Sequence, residues 1–67
     1  MKTGDLVTTC FNYNHTELWS EERGFINCGV LKGDMLLVLR EESKRVKVLT
    51  PRGLTGWIVK YLLRELP

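Results

Sequence analysis

The chain has 67 residues, of which 43% are hydrophobic and 27% charged, with a formal net charge of +2 at pH 7. That length holds one domain, residues 1-67, with a core so small that every large apolar side chain matters, and the composition excludes intrinsic disorder. The charge is mildly basic, well short of the Lys/Arg excess of proteins held chiefly by phosphate contacts, so nucleic acid is a permitted partner and not a demanded one.

No apolar stretch approaches the roughly 18 to 20 residues that span a bilayer, and Asp5 falls where a secretory leader needs apolar character. The expectation is a cytoplasmic protein with no membrane partner. Cys10 and Cys28 are too few for a disulfide framework and are predicted to be reduced, half-buried small hydrophobes. Asn14-His15-Thr16 matches a glycosylation acceptor but carries no weight in that compartment.

Gly4-Asp5 precedes Leu6 to Phe11, a β-branched stretch that reads as a first strand. Asn12 to Gly24 is polar, with Tyr13 and Trp19 embedded in it, and reads as a long loop or an irregular hairpin, with Glu17 to Arg23 able to hold a helical turn instead. Phe25-Ile26 returns to apolar character. Val30 to Asp34 is a turn centred on Lys32-Gly33-Asp34. Met35 to Leu39 is a continuous apolar run of strand length, predicted to be a central strand.

Arg45 to Thr50 alternates strictly, which turns Val46 and Val48 inward and leaves Arg45 and Lys47 on the wet face. Pro51-Arg52-Gly53 makes a tight turn into Thr55 to Val59. The remaining residues allow one helical turn and a short last strand, stopped by Pro67. Five short strands with one long early loop cannot bury a flat sheet at this size, so the predicted fold is all-β and partly closed.

Leu31 to Leu39, a Lys-Gly-Asp turn followed by alternating Leu and Val, and Gly56-Trp57-Ile58 followed by Tyr61-Leu62 resemble the SH3 superfamily. The resemblance is nearest to bacterial SH3 domains and small phage-encoded SH3-like proteins, and it covers almost the whole chain. It implies a five-stranded SH3-like barrel with a long first loop and a single helical turn before the last strand. A phage-encoded member would work in the host cytoplasm.

Phe11-Asn12-Tyr13 is similar to the Tyr-Asp-Tyr element of the proline-peptide-binding members. Those members also use a Trp at the start of the third strand and a Pro in the closing turn, where this chain has Lys44-Arg45-Val46 and Val59. Its closing tyrosine also falls one position early, with Leu62 in the tyrosine's place. Ordinary polyproline recognition is therefore not predicted.

The only imidazole is His15, and no nucleophile-elbow or oxyanion motif accompanies it, so no enzyme is predicted and no cofactor is implied. Cys10, His15 and Cys28 would offer zinc three ligands without a fourth or any close pair, so no metal site is predicted.

Two surfaces remain as candidates. Phe11, Tyr13, Trp19, Trp57 and Tyr61 are aromatic anchors for a protein partner, and with Ile58 inward Trp57 points outward. Arg45, Lys47, Arg52 and Lys60 would form a basic face able to contact nucleic acid. With Leu36 and Val38 inward, Met35, Leu37, Leu39 and Leu49 make an apolar stripe, for which a homodimer is the simplest use.

Overall fold

The computed structural model describes residues 1–66; the stop assigned to Pro67 lies outside the described residues. The strands are β1 (Leu6–Thr9), β2 (His15–Ser20), β3 (Gly24–Leu31), β4 (Met35–Glu41), β5 (Arg45–Leu49), β6 (Thr55–Val59) and β7 (Leu63–Glu65). One turn of 3-10 helix, Lys60–Leu62, separates β6 from β7. All seven strands join one antiparallel sheet in the order β3-β2-β6-β5-β4-β1-β7.

Seven strands replace the five expected because the early polar segment is a true hairpin. Its turn is closed by Ser20, whose Oγ accepts hydrogen bonds from the Glu22 and Arg23 amides, and Gly24 takes up a positive φ of 72° on the return. The hairpin is irregular. Thr16 opposes Val30 and Leu18 opposes Ile26, so Asn27, Cys28 and Gly29 bulge against the single residue Glu17. Cys28 sits in the left-handed region at φ 57°.

The inner face is mainly apolar. Val7, Leu18, Val30, Leu36, Val38, Val46, Val48, Ile58 and Leu63 form one buried cluster with Phe11. Val46 and Val48 point inward as the alternation of β5 requires, and so do Leu36 and Val38 of β4. The cluster joins residues of β2 and β3 at one end of the sheet to residues of β1 and β7 at the other, so the sheet coils upon itself to enclose them. Each fully buried Val or Leu contributes about 1.5–3 kcal/mol.

Leu18 is held between two glycines. A Cβ on Gly29 would lie 2.5 Å from the Leu18 Cβ, and one on Gly56 would lie 2.6 Å from the Trp19 carbonyl oxygen and 2.7 Å from the Leu18 Cγ. Only glycine allows β3 and β6 to approach β2 this closely. The approach at Gly56 sets the position of the single β2–β6 register pair, Trp19 opposite Trp57.

The turn between β3 and β4 is fixed by hydrogen bonds to β1 and to its own ends. The Leu31 amide donates to Asp34 Oδ2 at 2.8 Å, the Gly33 amide donates to Thr9 Oγ1 at 2.8 Å, and the Thr8 hydroxyl donates to the Asp34 carbonyl at 2.9 Å. These bonds satisfy Thr8 and Thr9, two of the three buried threonines among the described residues. Gly33 supplies the positive φ of 87° that the turn needs.

Candidate functional site

Register places side chains on a common face. Lys47 opposes Trp57, Trp57 opposes Trp19, and Trp19 opposes Phe25, so one row crosses β5, β6, β2 and β3 on the outer side of the sheet. Beside this row lies a groove of about 640 Å³ whose lining includes Glu17, Trp19, Phe25, Trp57, Val59 and Leu62. Its volume falls within the range of ligand-binding clefts, roughly 300–1,000 Å³.

Trp57 is the floor of the groove. Ile58 points inward and Trp57 outward as alternation predicts, but Trp57 is not the exposed anchor expected: both are buried, Trp57 at 6% and Ile58 at 4% exposure. Trp57 does lie on the outer face, but Arg45 covers it. The guanidinium Cζ stands 4.2 Å from the centroid of the Trp57 ring and 5.9 Å from that of Trp19, a cation–π arrangement. Arg45 Nε also donates to Glu42 Oε1 at 2.7 Å, and the Trp57 indole N–H donates to Glu21 Oε1 at 3.1 Å. The carboxylate of the hairpin turn thus ties β2–β3 to β6.

The other aromatic candidates do not converge here. Phe11 is buried in the core and stacks on Tyr13, with ring centroids 4.4 Å apart and planes 15° from parallel. It is a structural residue, because the chain leaving β1 turns its side chain under the sheet. Tyr13 is half exposed outside the groove, and Tyr61, 80% exposed, projects from the 3-10 turn while its neighbour Leu62 lines the cleft.

The basic candidates also separate. Arg52, in the β5–β6 turn, reaches over to β3 and the β3–β4 turn, where its Nη2 donates to the Gly29 carbonyl at 2.8 Å and to Asp34 Oδ2 at 2.9 Å. Burial alone pushes the Asp34 carboxyl up, but hydrogen bonds from Arg52 and the Leu31 amide, together with the Arg52 charge, hold it below the ordinary carboxylate range. Lys60 pairs with Glu41 at 2.7 Å, and that hydrogen bond leads the causes that lower the Glu41 pKa. Arg45 and Lys47 remain beside the aromatic row.

The expected apolar stripe is partly exposed. Met35 is exposed and Leu37, Leu39 and Leu49 are half-buried, and the register adds Leu6, opposite Leu37. Cys10 and Cys28 are free thiols and are exposed, contrary to the half-buried expectation, because Cys28 lies on the bulge and Cys10 just beyond β1. Among the described residues no three His, Cys, Asp or Glu side chains converge in a metal-binding cluster, and no helix is long and apolar enough to cross a membrane.

Phe25 and Glu17 belong to the groove but were not singled out from the sequence, and Val59 and Leu62 were noted only as standing where the peptide-binding members have Pro and Tyr. The signal available for Phe25 was its place after the hairpin glycine, where alternation with half-buried Ile26 sends it outward. No protein-family model, curated protein or solved structure matches the chain.

Proposed function

We propose that the chain is an SH3-like barrel acting as a non-enzymatic protein-interaction module, with the groove over Trp19 and Trp57 as its contact surface. The order of elements supports the fold reading: a first strand, a long hairpin, three successive antiparallel strands, a 3-10 turn and a short closing strand beside β1. One observation carries the functional reading. An apolar cleft is floored by Trp57 and walled by Trp19, Phe25, Val59 and Leu62, and it has the size and chemistry to seat apolar side chains of an extended protein segment.

The groove differs from a polyproline site in its construction. Its floor is an indole from β6, with Arg45 at the start of β5 lying over it. A partner therefore meets an aromatic surface already engaged by a cation.

The test is an affinity capture from the native host with wild type, Trp19→Ala and Val59→Lys in parallel, each checked for folding by thermal melting. A partner retained by wild type and lost from both variants is expected. A partner set unchanged by both substitutions removes the groove as the contact surface.

A second reading, a nucleic-acid-binding barrel, is favoured by Lys47 standing opposite Trp57 with Arg45 beside it. Arg45, Arg52 and Lys60 contribute less than Lys47 because each is paired with a carboxylate. Oligonucleotide binding that weakens steeply with added salt supports this reading, and no binding at low salt removes it.

A further inference from the structure

β4 carries a bulge where it passes β5. Val38 opposes Val48, but the next residue of β5, Lys47, is opposed by Arg40, so the extra residue Leu39 re-aims Arg40 onto the outer face beside Lys47. Like charges set directly opposite each other across a ladder destabilise it. No carboxylate relieves this pair. Among the described residues neither Arg40 nor Lys47 makes an ion pair, and the carboxylates that follow Arg40 in the chain, Glu41 and Glu42, are held by Lys60 and Arg45 at 2.7 Å each.

The pair stands at the end of the aromatic row. Arg40 opposes Lys47, Lys47 opposes Trp57 and Trp57 opposes Trp19, so two cations without partners continue the row directly from the floor of the groove. The polarity reverses on the other side of Trp57. Glu17, also without an ion pair, lines the groove from β2, and Glu21 accepts the hydrogen bond of the Trp57 indole N–H.

We infer, on the reading of the groove as a protein-contact surface, that the bound segment carries an Asp or Glu side chain beside its apolar anchor, and that Arg40 and Lys47 receive this carboxylate between them. Charge complementarity chooses the occupant: an anion between the two cations replaces their repulsion by two charge-assisted hydrogen bonds. Arg45 adds less, because its Nε is committed to Glu42. Neighbouring strands stand about 4.8 Å apart, so the pair lies about 10 Å from a side chain seated between Trp19 and Trp57. Extended chain covers that distance in about three residues, which sets the carboxylate roughly two to four residues from the anchor.

A nucleic-acid strand fits the same surface less well. It carries a phosphate at every nucleotide, and bases stacked on Trp19 and Phe25 would bring phosphates past Glu17 and Glu21 as well as to the two cations. A protein segment places its charge at one end only.

The experiment is selection from a displayed library of random peptides on the purified protein, repeated on Arg40→Glu, Lys47→Glu, Lys32→Glu and Val59→Lys, each checked for folding by thermal melting. Lys32 is exposed at the end of β3, outside the row, and its substitution makes the same charge change elsewhere. Wild type and Lys32→Glu are expected to enrich peptides that pair an apolar residue with Asp or Glu at that spacing. Arg40→Glu and Lys47→Glu should keep the apolar preference and lose the acidic one, and Val59→Lys should lose the apolar one. Fluorescence anisotropy on a selected peptide should show binding weakened on the order of tenfold by Lys47→Glu, or by an amide in place of the peptide's carboxylate, with little further loss when the two are combined. Apolar peptides without an acidic preference on wild type overturn the inference and leave the groove as a contact surface. An acidic preference lost equally in Lys32→Glu also overturns it, by assigning the effect to net charge. No enriched peptide on wild type, together with oligothymidylate binding at low salt that Lys47→Glu abolishes, overturns both readings and assigns the row to nucleic acid.

Discussion

Replacing Gly56 by alanine tests the junction on which the groove depends. Ordinarily a Gly→Ala change at a compatible backbone conformation stabilises a protein by about 0.4–1 kcal/mol, because it restricts the unfolded chain. Gly56 lies outside the positive-φ set of Gly4, Gly24, Gly33 and Gly53, so backbone strain does not enter. Space decides the sign. The new methyl would meet the Trp19 carbonyl oxygen at 2.6 Å and the Leu18 Cγ at 2.7 Å, and the first of these is backbone that can yield only by moving β2.

Overpacking of this kind costs about 1–3 kcal/mol. For a domain of this size 1 kcal/mol shifts Tm by roughly 4–8 °C, so a cost near 2 kcal/mol lowers it by roughly 8–16 °C. Urea denaturation and thermal melting measure the loss. Because the clash separates Trp19 from Trp57, tryptophan fluorescence of the folded variant should also shift. Gly29→Ala, whose methyl would meet the Leu18 Cβ at 2.5 Å, should behave alike. If Gly56→Ala melts at or above the wild-type temperature, the close approach of β6 to β2 is not a feature of the molecule.

Further outcomes follow from the same geometry. Phe11→Ala should cost about 3–5 kcal/mol by urea titration, as expected of a core aromatic, whereas Tyr61→Ala should stay within about 0.5 kcal/mol of wild type. Arg45→Ala should cost about 0.5–1 kcal/mol and increase quenching of Trp57 by acrylamide, since the guanidinium shields that ring. For Asp34 the folded pKa lies below the unfolded value, so its ion pair contributes stability above about pH 4 that is lost as pH falls through the depressed folded pKa. Asp34→Asn should flatten the acid limb of a Tm-against-pH curve, and Arg52→Ala should cost about 1–2 kcal/mol at neutral pH because it removes bonds to both Asp34 and the Gly29 carbonyl.

The second half of the chain was the legible half. The apolar run of β4, the alternation of β5 and the glycine turns at Gly33 and Gly53 are local signals, and each sits where the sequence puts it. The hairpin of β2 and β3 was legible only as one alternative to a loop, because β2 turns only Leu18 fully inward, while its exposed His15 and Glu17 give it the composition of a loop. Trp57 shows a different limit. Alternation gives its face correctly, but its burial comes from Arg45 of β5 on one side and Trp19 of β2 on the other. Phe11 likewise reads as a partner-binding aromatic until the path of the chain after β1 is known. Cation–π cover and cross-strand rows depend on register, which one strand's sequence does not contain.

The central claim, that the groove over Trp19 and Trp57 meets the protein partner, is tested most directly by photo-crosslinking in the native host. A photoreactive amino acid is placed at Val59, inside the groove, and in parallel at Tyr61 and Met35, which are exposed outside it. The account predicts a discrete protein adduct from position 59 and none from positions 61 and 35. Adducts from position 61 or 35 with none from position 59 would contradict it.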